Sequence, residues 1–500
     1  MFQTDRILGF MPVDWRLELT RYPWVRALLK SRWMPFVPIV VNLFIFTVIL
    51  MAGYYGGTSP GNYNFGIMIV WIVWWVVLMM VLVPGGSRAW CIGCPLPVLG
   101  EWMQRLTLVG VRHNKKGNFY LGLKKRWPKS LSNMWIMNFL FLATTFTTGF
   151  ITTRPIATFI MLGAIIALAI VLSMVYHKRA FCLYVCPVSG FQGLYSNFAI
   201  TEVRVKDPSI CKGHKNKGCV VGNEQGYGCP WMLLPYTFKR NTYCGMCFEC
   251  FKTCEYDNMA FNLRPPGTDL LVDDNRRLDE SWKAFIMLGI SIFFFLVMQG
   301  PWGLLKDWAN AETWGGYVSF IGLHSLFNLA VIPAVFLGFV WWSRRMADAR
   351  EVSLKKAYIN FSYTLVPLGL VAWIAFSFGI LLPNSSYVLH ILSDPFAWGW
   401  DLFGTAHFPW TPFWTGAMPW IQAACLLVGL LLCLDFAYKL ARQTYCGEAP
   451  AGQEVVPVEA LAARTVLTPE QGEQRVQRGF IPIALFLTLS TAALLWLFIG

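Results

Sequence analysis

The sequence predicts an all-α polytopic membrane protein of about nine transmembrane helices, with a small α+β domain inserted between the fourth and fifth helices. Of the 500 residues, 56% are hydrophobic and only 14% are charged, so a single soluble core could not bury the apolar surface. Apolar runs long enough to cross a bilayer recur along the chain. One polar stretch, rich in glycine and cysteine, interrupts them.

The predicted spans are each roughly 18–26 residues long, the length that a bilayer requires. They lie at 35–54, 65–84, 134–152, 156–176, 283–299, 317–342, 357–382, 420–440 and 480–499. They divide the chain into an N-terminal segment (1–33), a four-helix membrane region (34–176), the inserted domain (177–282) and a five-helix membrane region (283–500). The last region includes an aromatic outer loop at 383–419 and a polar tail at 441–479.

The basic residues predict the orientation, because cytoplasmic loops carry an excess of Lys and Arg. With the N-terminus inside, all of the 41 Lys and Arg residues except Arg154 and Lys306 lie in inner segments or at their membrane borders. This places the inserted domain in the cytoplasm and the C-terminus outside. Much of the net charge of +14 then faces the lipid bilayer, so nucleic acid is not the expected partner.

Eleven of the fourteen cysteines fall into three groups on the predicted cytoplasmic side, where reduced thiols serve as metal ligands. In the first group, Cys244, Cys247, Cys250 and Cys254 have the CxxCxxCxxxC spacing of bacterial ferredoxins. The alternative is a structural zinc scaffold, although zinc sites usually pair two CxxC units. The first group therefore indicates an iron–sulfur domain.

The second group lies upstream, and its Cys229 precedes Pro230 as the last cysteine of a ferredoxin motif does. Two clusters are predicted from the two groups. Cluster one takes Cys229, Cys244, Cys247 and Cys250, and cluster two takes Cys211, Cys219 and Cys254.

Cluster two is one thiolate short. His214 follows Cys211 by three residues, and imidazole replaces thiolate in Rieske centres. The pattern also resembles seven-iron ferredoxins, in which the three corresponding cysteines hold a [3Fe–4S] centre. Three interpretations stay open: a [4Fe–4S] cluster with Cys3His ligation, a [3Fe–4S] cluster with His214 as a bystander, and a solvated His214 with the fourth position filled otherwise.

The third group consists of two Cys-Pro motifs, each just past the cytoplasmic end of a predicted span. Cys91 and Cys94 follow the second span, and Cys182 and Cys186 follow the fourth. The four thiolates are expected to hold a third iron–sulfur cluster near the bilayer or to act as redox dithiols.

Farther along the chain, His324 lies inside a span. It is a candidate for a quinone site, and haem is disfavoured because a second axial histidine is missing from the spans.

Paired Cys-Pro motifs followed by a two-cluster domain resemble the membrane polyferredoxin group that includes NapH, NosR and CcoG (RdxA). The resemblance covers roughly residues 35–265 and implies an inserted two-cluster ferredoxin-like domain in a bacterial or archaeal cytoplasmic membrane. It departs from the group at the first motif, which has two residues between its cysteines where the group usually has three, and in the five spans that follow the domain.

The expected function is iron–sulfur electron transfer within a respiratory chain, as a component of an oxidoreductase complex. Electrons would pass between the cytoplasmic clusters and a quinone or a redox partner in the membrane or periplasm. The partners would be other respiratory subunits or a redox protein on the outer face. The alternatives are a maturation factor that reduces a metal or thiol for another respiratory enzyme, the zinc scaffold, and a transporter with an iron–sulfur sensor.

Overall fold

Long apolar helices account for most of the chain. The computed structural model describes residues 5–56, 61–114, 117–274, 276–299, 303–447 and 468–499. Within them, eight helices are long and apolar enough to cross a membrane, so the prediction of a membrane protein is confirmed. Together with one shorter apolar helix, they are α1 (Trp33–Tyr55), α2 (Phe65–Gly86), α3 (Trp135–Phe146), α4 (Pro155–Val175), α5 (Leu278–Val297), α6 (Trp314–Met346), α7 (Leu354–Asn384), α8 (Met418–Tyr445) and α9 (Pro469–Phe498).

The shorter helix α3 corresponds to the predicted span at 134–152. The helix stops at Phe146, and a separate turn covers Thr148–Ile151. At the break, the Thr147 hydroxyl and its N–H both bond to the carbonyl of Thr144, at 2.8 and 3.2 Å. Threonine hydroxyls that bond to preceding carbonyls weaken and bend helices. The threonine-rich sequence therefore divides a run that its hydropathy predicts to be continuous.

Helix α2 contains two π-helical segments, Met68–Trp74 and Leu78–Leu82. It ends where Ser87 adopts φ +60° and reverses the chain. The following turn, Trp90–Gly93, packs back along the helices, because Trp90 contacts Trp74 and the Gly93 carbonyl accepts from Asn42 at 2.9 Å. Trp74 lies about three turns before the end of α2. The chain after α2 thus folds back between the apolar helices.

The polar stretch between α4 and α5 is organised by a three-stranded antiparallel sheet. The central strand β3 (Met259–Leu263) pairs with β2 (Thr201–Val205) on one side and β1 (Leu17–Glu18) on the other. Strand β1 comes from the N-terminal segment, which was expected to be separate from the inserted domain. Two short antiparallel pairs complete the strands, namely Arg6–Ile7 with Met11–Pro12 and His113–Asn114 with Gly117–Asn118.

Ion pairs and apolar packing hold the N-terminal segment against this sheet. Arg16 pairs with Glu202 at 2.7 Å, and Lys30 pairs with Asp257 at 2.8 Å. Val25 on the helix Pro23–Lys30 packs in one cluster with Phe248 and Met259. The part of this segment from Arg16 to Lys30 therefore belongs to the cysteine-rich domain.

Short helices connect these parts of the chain. The larger ones are Trp90–Gly93, Val98–Arg105, Pro187–Tyr195, Pro208–Gly213, Gly218–Val221, Glu249–Thr253, Gly303–Ala309 and Tyr387–Ser393. The predicted outer loop at 383–419 contains the last of them and exposes large aromatic side chains, including Trp398, Trp410 and Trp414. Of the predicted tail at 441–479, residues 448–467 lie outside the described part.

A buried ion pair joins the cysteine-rich domain to the second membrane region. Arg240 donates to Glu280 on α5 at 2.9 Å, and both side chains are almost fully buried. Tyr243 of the domain donates to the same carboxylate at 3.0 Å, and Tyr363 on α7 also bonds to it. Helices α7, α8 and α9 pack side by side beyond this junction. The junction fixes the domain on the helices.

Replacing Arg240 with alanine should leave Glu280 buried without its cation. We expect the free energy of unfolding to fall by about 3–5 kcal/mol. Thermal unfolding of the detergent-solubilised protein, followed by circular dichroism, measures the change. Arg350→Ala is the control, because the pair of Arg350 with Asp348 is 80% and 85% exposed, and its loss should cost less than about 1 kcal/mol. Equal effects of the two changes would contradict this assignment.

Candidate metal centres

The three predicted ligand groups line three different cavities. Cluster one has a cavity of about 20 Å³, and cluster two also has one of about 20 Å³. The third group lines a cavity of about 260 Å³. In the described part of the chain, no three His, Cys, Asp or Glu side chains converge closely enough to hold a single metal ion. Each predicted site is therefore a shared cavity rather than a single-ion position.

Cluster one is shaped by a loop with unusual backbone angles. Met246 and Phe248 alternate with the cysteines and adopt φ +52° and +56°, a conformation that costs free energy for residues other than glycine. The remaining intervening residue before Cys247 is Gly245, where an added Cβ would overlap the indole of Trp231. Trp231 is almost completely buried. The loop is thus held in a tight turn against this side chain.

Backbone amides approach the sulfurs of cluster one. The N–H groups of Met246 and Glu249 donate to Cys244 and Cys247. Burial raises the pKa of Cys244 to about 11 and that of Cys247 to about 12, and these hydrogen bonds oppose the rise. Without metal, both thiols are protonated at neutral pH, so metal binding has to release protons. Hydrogen bonds to sulfur are among the factors that set iron–sulfur potentials.

The cavity of cluster two contains Cys211, Cys219, Cys254 and His214. Asn258 donates to two of the sulfurs, from its backbone N–H to Cys254 and from its side chain to Cys211, each at 3.4 Å. His214 Nδ1 lies 3.0 Å from the Ile210 carbonyl. A carbonyl only accepts, so Nδ1 donates to it, and in the neutral imidazole Nε2 then carries the lone pair, which is the usual arrangement of a metal-binding histidine.

The third cavity contains Cys91, Cys94, Cys182 and Cys186. Elements from two distant parts of the chain form it, because Cys91 follows α2 and Cys182 lies in the π-helical turn Phe181–Val185 after α4. Apolar residues of α1, α2 and α4 complete the walls. The four cysteines follow the ends of α2 and α4, as the sequence predicts. The reversal at Ser87 turns Cys91 and Cys94 back against α1 and α2.

Buried cations surround these sites without carboxylate partners. Arg88, Lys178 and Lys283 are 2%, 7% and 0% exposed. Among the described residues, no carboxylate lies within ion-pair distance of any of the three. Their hydrogen bonds go to neutral groups. Arg88 donates to the Thr242 carbonyl and to Ser189, Lys178 to the carbonyls of Val220 and Cys229, and Lys283 to the Met137 carbonyl.

Each of these cations lies within electrostatic reach of predicted ligands. Arg88 acts on Cys186 and Cys244, Lys178 acts on Cys229, and Lys283 on α5 acts on Cys186. A fourth cation, Arg179, differs because it pairs with Glu101 at 2.8 Å. Burial disfavours the charge of Glu101, yet Arg179 and Arg105 lower its pKa to about 2.

The three cavities are neighbours in a fixed order. Cys219 of cluster two is within electrostatic reach of Cys250 of cluster one. Trp231 and Cys229 of the cluster-one region pack in a single apolar cluster with Cys91, Cys182 and Cys186 of the third cavity. The Arg88 guanidinium lies 4.3 Å above the Trp231 ring, between these two regions. The order is therefore cluster two, cluster one, third cavity.

His324, the predicted quinone or haem candidate, is enclosed by aromatic rings. Its side chain is fully buried and its Nε2 lies 3.1 Å from the Thr145 hydroxyl. The Phe293 ring packs edge-on against the imidazole, with ring centroids 4.5 Å apart, and the rings of Phe146 and Phe320 also contact it. None of the predicted cysteine ligands contributes to this cluster. The structure thus separates His324 from the cysteine sites.

The buried arginines escaped the sequence-based prediction, although the sequence contains a signal for them. Residues 88–91 read Arg-Ala-Trp-Cys, and residues 179–182 read Arg-Ala-Phe-Cys. Both Cys-Pro motifs are thus preceded by the same arginine spacing. Gln192 also escaped prediction, and its Oε1 accepts from the Cys91 thiol at 3.5 Å. Nothing in its sequence position distinguishes it.

The comparisons with known proteins concern the third cavity. Residues 67–117 and 159–201 match a protein family described as a 4Fe-4S binding domain. The first segment contains Cys91 and Cys94, and the second contains Cys182 and Cys186, whereas residues 211–254 lie outside the match. Searches of curated proteins and of solved structures found no match. The family match supports iron–sulfur clusters and a role in electron transfer.

Gly245→Ala should displace the loop of cluster one, because the new methyl group overlaps the Trp231 indole. We expect the anaerobically purified variant to contain about four fewer irons per chain than the unaltered protein. Iron and acid-labile sulfide assays measure this loss. Gly110→Ala is the matched control, since an added Cβ there meets no atom within 4 Å. Full iron content in Gly245→Ala would show that the loop tolerates the methyl group.

Proposed function

We propose that this protein is a membrane-bound iron–sulfur electron-transfer component of a respiratory chain, related to the membrane polyferredoxin group. The proposal depends above all on the buried cations Arg88, Lys178 and Lys283. A buried charge is costly unless an opposite charge compensates it. Thiols face all three cations, whereas Glu249, which acts on Lys178, lies outside ion-pair distance of it and already pairs with Lys252. Iron–sulfur clusters with thiolate ligands are anionic and would supply the missing charge.

The ligand sets fit this interpretation. Cys229, Cys244, Cys247 and Cys250 would hold one [4Fe–4S] cluster. Cys211, Cys219 and Cys254 would hold a second, with His214 Nε2 as its fourth ligand. Cys91, Cys94, Cys182 and Cys186 would hold a third, in agreement with the family match to segments that contain them. When bound, such clusters supply one-electron carriers.

The chain supplies the order and the electrical environment of the sites. Cluster two would lie nearest the predicted cytoplasm and cluster one beside it, and the third site would lie nearest the membrane helices. This order suits electron transfer between a soluble cytoplasmic partner and a partner in the membrane. We propose that the membrane partner is a quinone or a redox subunit of a respiratory complex, and that the cysteine-rich domain is on the cytoplasmic side.

Metal analysis with EPR spectroscopy tests the cluster assignment. We expect about twelve irons and twelve sulfides per anaerobically purified chain, and no [3Fe–4S] signal in the oxidised state. His214→Ala should produce a [3Fe–4S] signal, because cluster two loses its fourth ligand. His113→Ala is the control, since His113 is exposed and bonds to Asn118. A [3Fe–4S] signal in the unaltered protein would show that His214 is not a ligand. Zinc without sulfide would refute the electron-transfer proposal and support the structural zinc scaffold.

Lys283→Met should lower the reduction potential of the cluster at the third site. The amine adds positive charge near Cys186, which favours the more negative, reduced state of the cluster. At short range in a protein this charge is worth roughly 50–100 mV. Redox titration monitored by EPR measures the potential, and Lys306→Met, which removes a charge at an exposed position of the helix Gly303–Ala309, should not change it. An unchanged potential in Lys283→Met would exclude the proposed pairing.

A further inference from the structure

The cavity of the third site is much larger than those of the other two. It measures about 260 Å³, whereas the four cysteines of cluster one enclose about 20 Å³. Both are lined by four cysteines, so the cysteines do not explain the difference. Most of the third cavity therefore lies beyond its ligand group. For comparison, an apolar cavity of about 150 Å³ holds a benzene ring.

The additional volume forms an apolar slot between α1 and α2. Its wall on α1 runs from Asn42 to Ile49, and its wall on α2 runs from Ile69 to Val77. Each wall covers about two helical turns, or roughly 10 Å. Val77 is 41% exposed on the outside of the helices, where the lipid would be. The slot thus extends from the cysteines to a lipid-facing side of the protein.

Two hydrogen-bond donors in the walls lack partners. Gln192 is fully buried and its Nε2 bonds to no described atom, and the same holds for the buried indole Nε1 of Trp74. Both residues line the slot. A buried donor without an acceptor costs about 1–3 kcal/mol. Two such donors beside an apolar space indicate a ligand that is mainly apolar and carries acceptor oxygens.

We propose that the slot binds the ring of an isoprenoid quinone, with Trp74 and Gln192 donating to its carbonyl oxygens. The inference rests on the proposed function, since it names the membrane partner and its site. The quinone ring is flat and apolar with two carbonyl acceptors, and its tail would leave past Val77 into the lipid. An acyl chain would fill the slot but would leave both donors unpaired.

The position of Trp74 supports this assignment. Its ring packs against that of Trp90, with the two ring centroids 5.3 Å apart, and Trp90 directly precedes Cys91. Gln192 lies on the opposite side of the same cysteine, with its Oε1 3.5 Å from the Cys91 sulfur. The two donors therefore flank the part of the slot that is nearest the cysteines. A ring bound there would lie next to the third site, and its tail would leave between the helices past Val77.

Photolabelling of the full-length protein in phospholipid nanodiscs tests the proposal. The probe is a short-tailed azido-ubiquinone, and mass spectrometry of peptides locates the label. We expect label within 42–49 or 69–77, displaced by excess decylubiquinone but not by excess phospholipid. Label confined to other regions, such as the surroundings of His324, would overturn the proposal, as would displacement by phospholipid alone.

Variants test the two donors. Trp74→Phe and Gln192→Leu should each raise the probe concentration for half-maximal labelling roughly 3- to 10-fold, the effect of losing one hydrogen bond. Trp75→Phe is the matched control. Its indole N–H is also buried without a partner, but its ring contacts Phe191 and Trp373 and does not line the slot. Equal effects of the Trp74 and Trp75 changes would overturn the donor assignment.

Iron and sulfide assays on the labelled sample separate this inference from the proposed function. Specific labelling of the slot in protein that contains no iron or sulfide would support the quinone site and refute the electron-transfer proposal. Iron-loaded protein without label in the slot would refute the quinone site alone. Label in iron-loaded protein supports both.

Discussion

Charge compensation around the cysteine cavities is the constraint on which the rest of this structure depends. Arg88, Lys178 and Lys283 are buried beside thiols, and their hydrogen bonds reach only neutral oxygens. Such an arrangement is costly in a low-dielectric interior until a negative group enters. We therefore expect cluster binding and folding to be coupled, because clusters would supply the missing negative charge to a domain that has only a short sheet and small apolar clusters.

The same constraint explains why the chain folds back after α2. A site just beyond the helix ends would leave Arg88 in water, where its charge needs no partner. The reversal at Ser87 instead buries Arg88 against Trp231 and turns Cys91 back against α1 and α2. The repeated Arg-Ala-aromatic-Cys sequence gives both halves of the site an arginine three residues before the first cysteine. At the second copy, however, Arg179 pairs with Glu101, so only the first copy leaves an uncompensated cation.

The sequence predicted features that depend on local composition, and it missed those that depend on tertiary contacts. Hydropathy located the long helices, and cysteine spacing predicted groups that the structure brings to shared cavities. The helix break at Thr147 was not predicted, because hydropathy contains no information about hydrogen bonds from a hydroxyl to a backbone carbonyl. Strand β1 escaped because two residues, Leu17 and Glu18, become a strand only beside β3. Lys283 was assigned to the edge of a span, and only the tertiary structure shows that it is buried within electrostatic reach of Cys186.

The shared cations have a consequence for how the sites work together. Arg88 acts on Cys186 of the third site and on Cys244 of cluster one, and Arg179 acts on Cys182 and Cys247. Negative charge added at either site would be stabilised by the same two guanidinium groups. Sites that interact in this way have properties that belong to the pair rather than to either member. An electron arriving at cluster one would therefore make the next one harder to place at the third site, which favours transfer one electron at a time.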